Sequence, residues 1–106
     1  WLVDSEVYPD KLAARGLAAV RPSPAERDEI DRIIMDELVC GVFKPESVAA
    51  FQRVIARMRR EEGSDAVVLG CTEIPLIVDD SNSVLPTLDS TRLLARAALA
   101  RAVAPR

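Results

Sequence analysis

Apolar residues along this chain fall into two patterns that take turns: a helical spacing of three and four, and short unbroken runs. The first helical stretch covers Ser5 to Ala14, with Val7, Leu12 and Ala13 apolar and Gly16 as its stop. Leu17 to Val20 is a brief apolar run closed by Arg21-Pro22 and predicts a buried strand. Ser23-Pro24-Ala25-Glu26 then combines an N-cap serine, a proline at the first helical position and a glutamate placed to return the capping bond. The helix it opens carries Ile30, Ile33, Ile34 and Leu38 at helical spacing and ends at Gly41. After the loop Val42-Phe43-Lys44-Pro45, a third helix puts Val48, Phe51, Ile55 and Met58 on one face and stops at Gly63. Ala66-Val67-Val68-Leu69 reads as a strand buried on both faces, and Val84-Leu85 as one more short strand. Asp89-Ser90-Thr91 caps a final Leu- and Ala-rich helix that runs to about Val103. Strands alternating with amphipathic helices predict an α/β fold, a mostly parallel sheet flanked by helices in three layers.

Composition narrows the function classes. At 106 residues the chain suits one small domain, and its apolar share of 49% with only 4% aromatic residues calls for a core of Leu, Ile, Val and Ala. Fourteen basic residues against seventeen acidic ones, scattered along helical segments, argue against a nucleic-acid partner. The densest basic cluster, Arg57, Arg59 and Arg60, lies beside Glu61 and Glu62 near a helix C-terminus, as a solvated helix end would have it. No apolar run reaches the length of a membrane span, and the start does not read as a signal peptide. With no histidine, Ser-His and Cys-His pairs within the chain are excluded, and Cys40 and Cys71 lack metal-ligand spacing. Both cysteines read as reduced thiols of a cytoplasmic protein.

One place stands out for chemistry. Ligands of parallel α/β sheets bind beyond the carboxyl ends of the strands, and Gly70-Cys71-Thr72-Glu73 follows the most apolar strand directly. Glycine before the cysteine permits close approach to the backbone, and a helical turn starting at Thr72 and Glu73 would favour a thiolate at Cys71.

The stretch Gly70-Cys71-Thr72-Glu73-Ile74-Pro75-Leu76, preceded by Asp65-Ala66-Val67-Val68-Leu69, resembles the second cysteine motif of the aspartate/glutamate racemase family. The resemblance extends back through Gly41-Val42-Phe43-Lys44-Pro45-Glu46-Ser47 and forward through Val84-Leu85-Pro86-Thr87-Leu88-Asp89-Ser90-Thr91-Arg92. The opening Glu6-Val7-Tyr8 is similar to the helix after the first strand of that family's second domain.

This resemblance implies that residues 1–106 form the C-terminal domain of a two-domain racemase fold, with its first strand and the N-terminal domain missing. It implies cofactor-independent racemisation of an acidic amino acid, in which a thiolate removes the α-proton and an opposing thiol delivers one to the other face. No metal is implied. Cys71 would be one of the two acid/base groups; Thr72, Glu73 and Lys44 would contact the substrate. Glu73 stands where glutamate racemases show histidine, which favours the aspartate/glutamate branch. Lys44 reads equally well as an exposed loop lysine. The second cysteine would come from the missing domain, because Cys40 sits at a helix end with none of that family's first cysteine motif around it. Arg92 reads as a partner of Asp89, with substrate contact as the alternative, and Trp1 and Tyr8 read as packing residues, Trp1 being exposed if the preceding strand is missing. Expected partners are the amino-acid substrate, the missing domain and a second copy of the chain covering an exposed apolar edge. The alternatives are a one-cysteine decarboxylase or isomerase of the same superfamily, and a non-enzymatic oligomerising or binding remnant.

Overall fold

In the computed structural model, which describes residues 7–103, helix boundaries lie where local chemistry places them. Helix α1 (Val7–Ala13) ends in a turn at Gly16; the expected start of this helix at Ser5 and the packing role of Trp1 lie outside the described residues. Helix α2 (Pro24–Ile33) opens on the complete capping box, Glu26 N–H donating to Ser23 Oγ at 3.2 Å and Ser23 N–H to Glu26 Oε1 at 2.8 Å. It continues into a π turn (Ile34–Leu38) in which the Val39 N–H reaches back five residues to the Ile34 carbonyl at 3.0 Å. Helix α3 (Pro45–Glu62) stops at Gly63, whose φ of +68° is a conformation that glycine adopts without strain.

The apolar faces of these helices meet the sheet. Ile33, Leu38, Ala50, Phe51, Ile55, Leu69, Ile77, Val78 and Leu85 form one buried cluster. Across its rim Arg57 of α3 grips Glu26 of α2 with two short bonds, of 2.6 and 2.7 Å, so the residue that closes the capping box also ties the helices together.

The chain is α/β with a parallel sheet. Strand β1 (Val67–Leu69) pairs in parallel with β2 (Thr87–Asp89), Val67 opposite Thr87 and Leu69 opposite Asp89. Three expectations are corrected. Leu17–Val20 joins no ladder among the described residues, and Leu17 and Val20 are exposed. A run whose middle is two alanines offers little apolar area to hold it on a sheet. The second strand begins at Thr87 instead of Val84: Ser83 Oγ accepts from the Leu85 N–H and donates to the Leu85 carbonyl, bending 83–85 before pairing starts. Finally, β1 is buried on one face only. Leu69 is 3% exposed, while Val68 is 37% exposed beside its ladder partner Leu88.

Helix α4 (Ser90–Val103) begins where expected, with Asp89 Oδ1 accepting from the backbone N–H groups of Thr91 at 3.0 Å and Arg92 at 3.2 Å. No side chain of α4 is buried, and Leu94, Leu99 and Val103 stand open. No helix among the described residues is long and apolar enough to cross a membrane.

Candidate functional site

Strand β1 ends at Leu69, and its carbonyl accepts a hydrogen bond from Ser90 Oγ at 2.9 Å. The start of α4 thus anchors the strand end from which Gly70 and Cys71 emerge. Tyr8 of α1 lies over Gly70: a Cβ added there would sit 3.8 Å from the Tyr8 ring and 3.9 Å from its hydroxyl. Those are ordinary contacts, so the fold itself does not require glycine at this position.

Cys71 is half-buried and free, and its Sγ accepts from the Ile74 N–H at 3.4 Å. The turn behind it (Ile74–Leu76) is a single 3₁₀ turn that starts one to two residues later than the sequence suggested, with Glu73 as its cap. Burial pushes the Cys71 thiol up; the Ile74 and Glu73 N–H groups pull the other way, and the Glu73 carboxylate adds to the rise. The expected thiolate-favouring effect of the backbone is therefore present but outweighed. Burial disfavours a charged sulfur, and a carboxylate beside it both repels the thiolate and accepts from the thiol. Thr72 is exposed and Glu73 half-buried.

Lys44 lies elsewhere on the surface, as the residue before α3, and its carbonyl accepts from the Ser47 and Val48 N–H groups. Among the described residues no hydrogen bond or ion pair joins Lys44 to Cys71, Thr72 or Glu73. The two regions are linked through the core instead, where Ile34–Leu38 packs against Ile74–Leu76. Cys40 is exposed, its thiol 4.0 Å from the Met35 carbonyl, and is not bonded to Cys71. Arg92 meets Asp89 through its backbone N–H. A shallow groove lined by Ala56, Arg59, Arg60 and Val84 contains none of the cysteine segment. Among the described residues no group of three or more cysteine and acidic side chains is arranged to hold a metal ion.

One residue escaped the sequence reading. Glu37 lies seven residues after Ile30, on the apolar face of its helix, and is only 5% exposed. Ser47 Oγ donates to Glu37 Oε1, and Arg32 pairs with Oε2 at 3.0 Å. The Ser47 bond holds its carboxyl below the usual range against the opposing effect of burial, with further help from Arg32 and the nearby Lys44 charge. The signal was available: an acidic residue at a helical core position needs partners, because a buried charge without them is costly.

A family model described as Asp/Glu/hydantoin racemase matches residues 3–98. Two solved structures superpose on 96% of the chain, each with a TM-score of 0.89: a candidate Asp/Glu racemase from Yersinia pestis at 30% identity and an aspartate racemase homologue from Pyrococcus horikoshii OT3 at 31%. The chain spans 44% of each of them.

Proposed function

The chain belongs to the Asp/Glu/hydantoin racemase family, and from that premise we propose that it supplies one of the two proton-transfer thiols of an acidic amino-acid racemase. In this reading residues 1–106 are the second domain of a two-domain cytoplasmic enzyme. Cys71 faces the substrate α-carbon, Thr72 and neighbouring N–H groups hold the α-carboxylate, and Glu73 and Lys44 orient the rest of the substrate.

The observation that carries the proposal is the setting of Cys71 at the carboxyl end of β1 inside the family match. With its thiol pushed up, Cys71 rests protonated, which suits the group that delivers a proton to the planar carbanion. The Ile74 N–H already touches the sulfur and is placed to stabilise the thiolate left behind. The opposing thiol, from another domain, takes the α-proton; reversal of direction exchanges the two roles. No cofactor is required for this exchange, because the base ends a turnover holding the substrate's α-proton and the donor ends as a thiolate, so the pair together holds one proton before and after.

The test compares the 106-residue chain with the complete protein, each incubated with L-aspartate and L-glutamate in deuterium oxide. Loss of the α-proton is followed by NMR and enantiomer composition by chiral chromatography. The complete protein should racemise and its Cys71→Ala variant should not, whereas Cys40→Ala should stay close to wild type. The isolated chain should be inactive, since inversion needs a base on each face and positioning is worth about 7–11 kcal/mol. An active Cys71→Ala enzyme would sink the proposal.

The open apolar side chains of α4 and of the Val68–Leu88 pair favour a second reading, an associating module without activity of its own. Sedimentation of the 106-residue chain decides whether a second copy covers that surface; a monomer at high concentration excludes it.

A further inference from the structure

Glu37 is the one buried carboxylate among the described residues, and proton transfer at Cys71 does not use it. Apart from the Arg32 ion pair within its own helix, its connections converge on one loop. Its backbone carbonyl accepts from the Cys40 N–H at 3.1 Å and the Val42 N–H at 2.8 Å, which closes the turn that leaves the π segment. Its side chain accepts from Ser47 Oγ, itself 4% exposed, in the first turn of α3. Lys44 lies between these two attachments. Its carbonyl is held by the Ser47 and Val48 N–H groups, and its charge is near enough to Glu37 to help keep that carboxyl ionised. Glu37 and Leu38, consecutive in the π turn, are both buried, one polar and one apolar.

We infer that Glu37 is a positioning residue: through Ser47 and the Val42 turn it fixes the loop 39–44 and with it the place of Lys44. Its contribution to the site is to binding of the substrate's side-chain carboxylate, an inference that rests on the proposed racemase function. A fixed Lys44 offers a distal carboxylate a charge whose ordering has already been met in folding, so it raises affinity for dicarboxylic amino acids and leaves the chemistry at the α-carbon unchanged.

The experiment uses the complete protein with Glu37→Gln, Ser47→Ala, Lys44→Ala and the Glu37→Gln/Lys44→Ala pair. Glutamine keeps the shape and can still accept from Ser47, and Ser47→Ala leaves the Arg32 pair intact, so the two variants disturb folding differently. For Glu37→Gln and Ser47→Ala, amide exchange at Val42, Ser47 and Val48 should accelerate about tenfold, with Val67 and Leu69 unchanged. The KM for L-aspartate should rise about tenfold with kcat within about twofold, and the paired variant should be no worse than Lys44→Ala alone. Unchanged exchange in the loop, an unchanged KM, or additive losses in the pair would overturn the inference. If the unaltered protein racemises nothing, the functional reading falls by itself, and the exchange data alone decide whether Glu37 holds the loop.

Discussion

Strand β1 delivers Cys71 to its position, and its last two side chains, Val68 and Leu69, should respond very differently to truncation. Leu69 belongs to the core cluster at 3% exposure, so Leu69→Ala removes buried methylenes and leaves a cavity in that cluster, at a cost of about 3 kcal/mol within the usual 2–5. Val68 faces away and keeps 37% of its surface in water. Val68→Ala deletes two carbons worth about 1.6 kcal/mol if wholly buried; with much of that surface already wet, the loss should stay at or below about 1 kcal/mol. Urea unfolding followed by circular dichroism gives both numbers, with equal slopes confirming that the unfolded states match. The pair also reads out association: a layer covering Val68 would raise its cost towards that of Leu69. In the isolated monomeric chain, a Val68→Ala loss as large as that of Leu69→Ala would refute the one-faced strand.

Three further outcomes are expected. Iodoacetamide at neutral pH should label exposed Cys40 faster than Cys71 in this chain, and Glu73→Gln should speed the labelling of Cys71; mass spectrometry that finds Cys71 faster in the unaltered chain would contradict the balance described at its sulfur. The Arg57 side chain holds the Glu26 carboxyl down at about 2 against an ordinary 4.5, so its stabilisation is complete above about pH 4.5 and disappears as pH falls towards 2. Urea midpoints across that window should decline less steeply for Glu26→Gln than for the unaltered chain. Ser23→Ala should cost about 1 kcal/mol in the same urea assay by removing the cap of α2, and a neutral result would show that the capping box contributes nothing.

Features set by contacts within a few residues could be read from the sequence. Ser23, Pro24 and Glu26 announce α2, Gly63 closes α3, and Asp89 caps α4, because each acts on its own backbone neighbours. The apolar faces of α2 and α3 were equally legible, from Ile33 to Met58. Legibility ended where long-range partners decide. A four-residue apolar run does not reveal whether a ladder exists to receive it, and Leu17–Val20 found none among the described residues. The burial of Val68 depends on what lies across the sheet, and the Cys71 thiol depends on how burial weighs against two N–H groups. Glu37 was not singled out in the sequence, although its spacing from Ile30 places it on the apolar face, where it is buried.

Strands β1 and β2 lie on either side of the segment 70–86, so pairing Val67 with Thr87 closes a loop that contains Cys71. Closing such a loop carries an entropic cost that its contents must offset, and here those contents are the 3₁₀ turn, Ile77 and Val78 in the core, and the Asp79–Asn82 turn. Strand pairing and ordering of the cysteine segment are consequently one thermodynamic event. A molecule bound only at residues 71–74 would pull the whole loop towards its closed form, and the sheet would become harder to melt in proportion to the logarithm of that molecule's concentration.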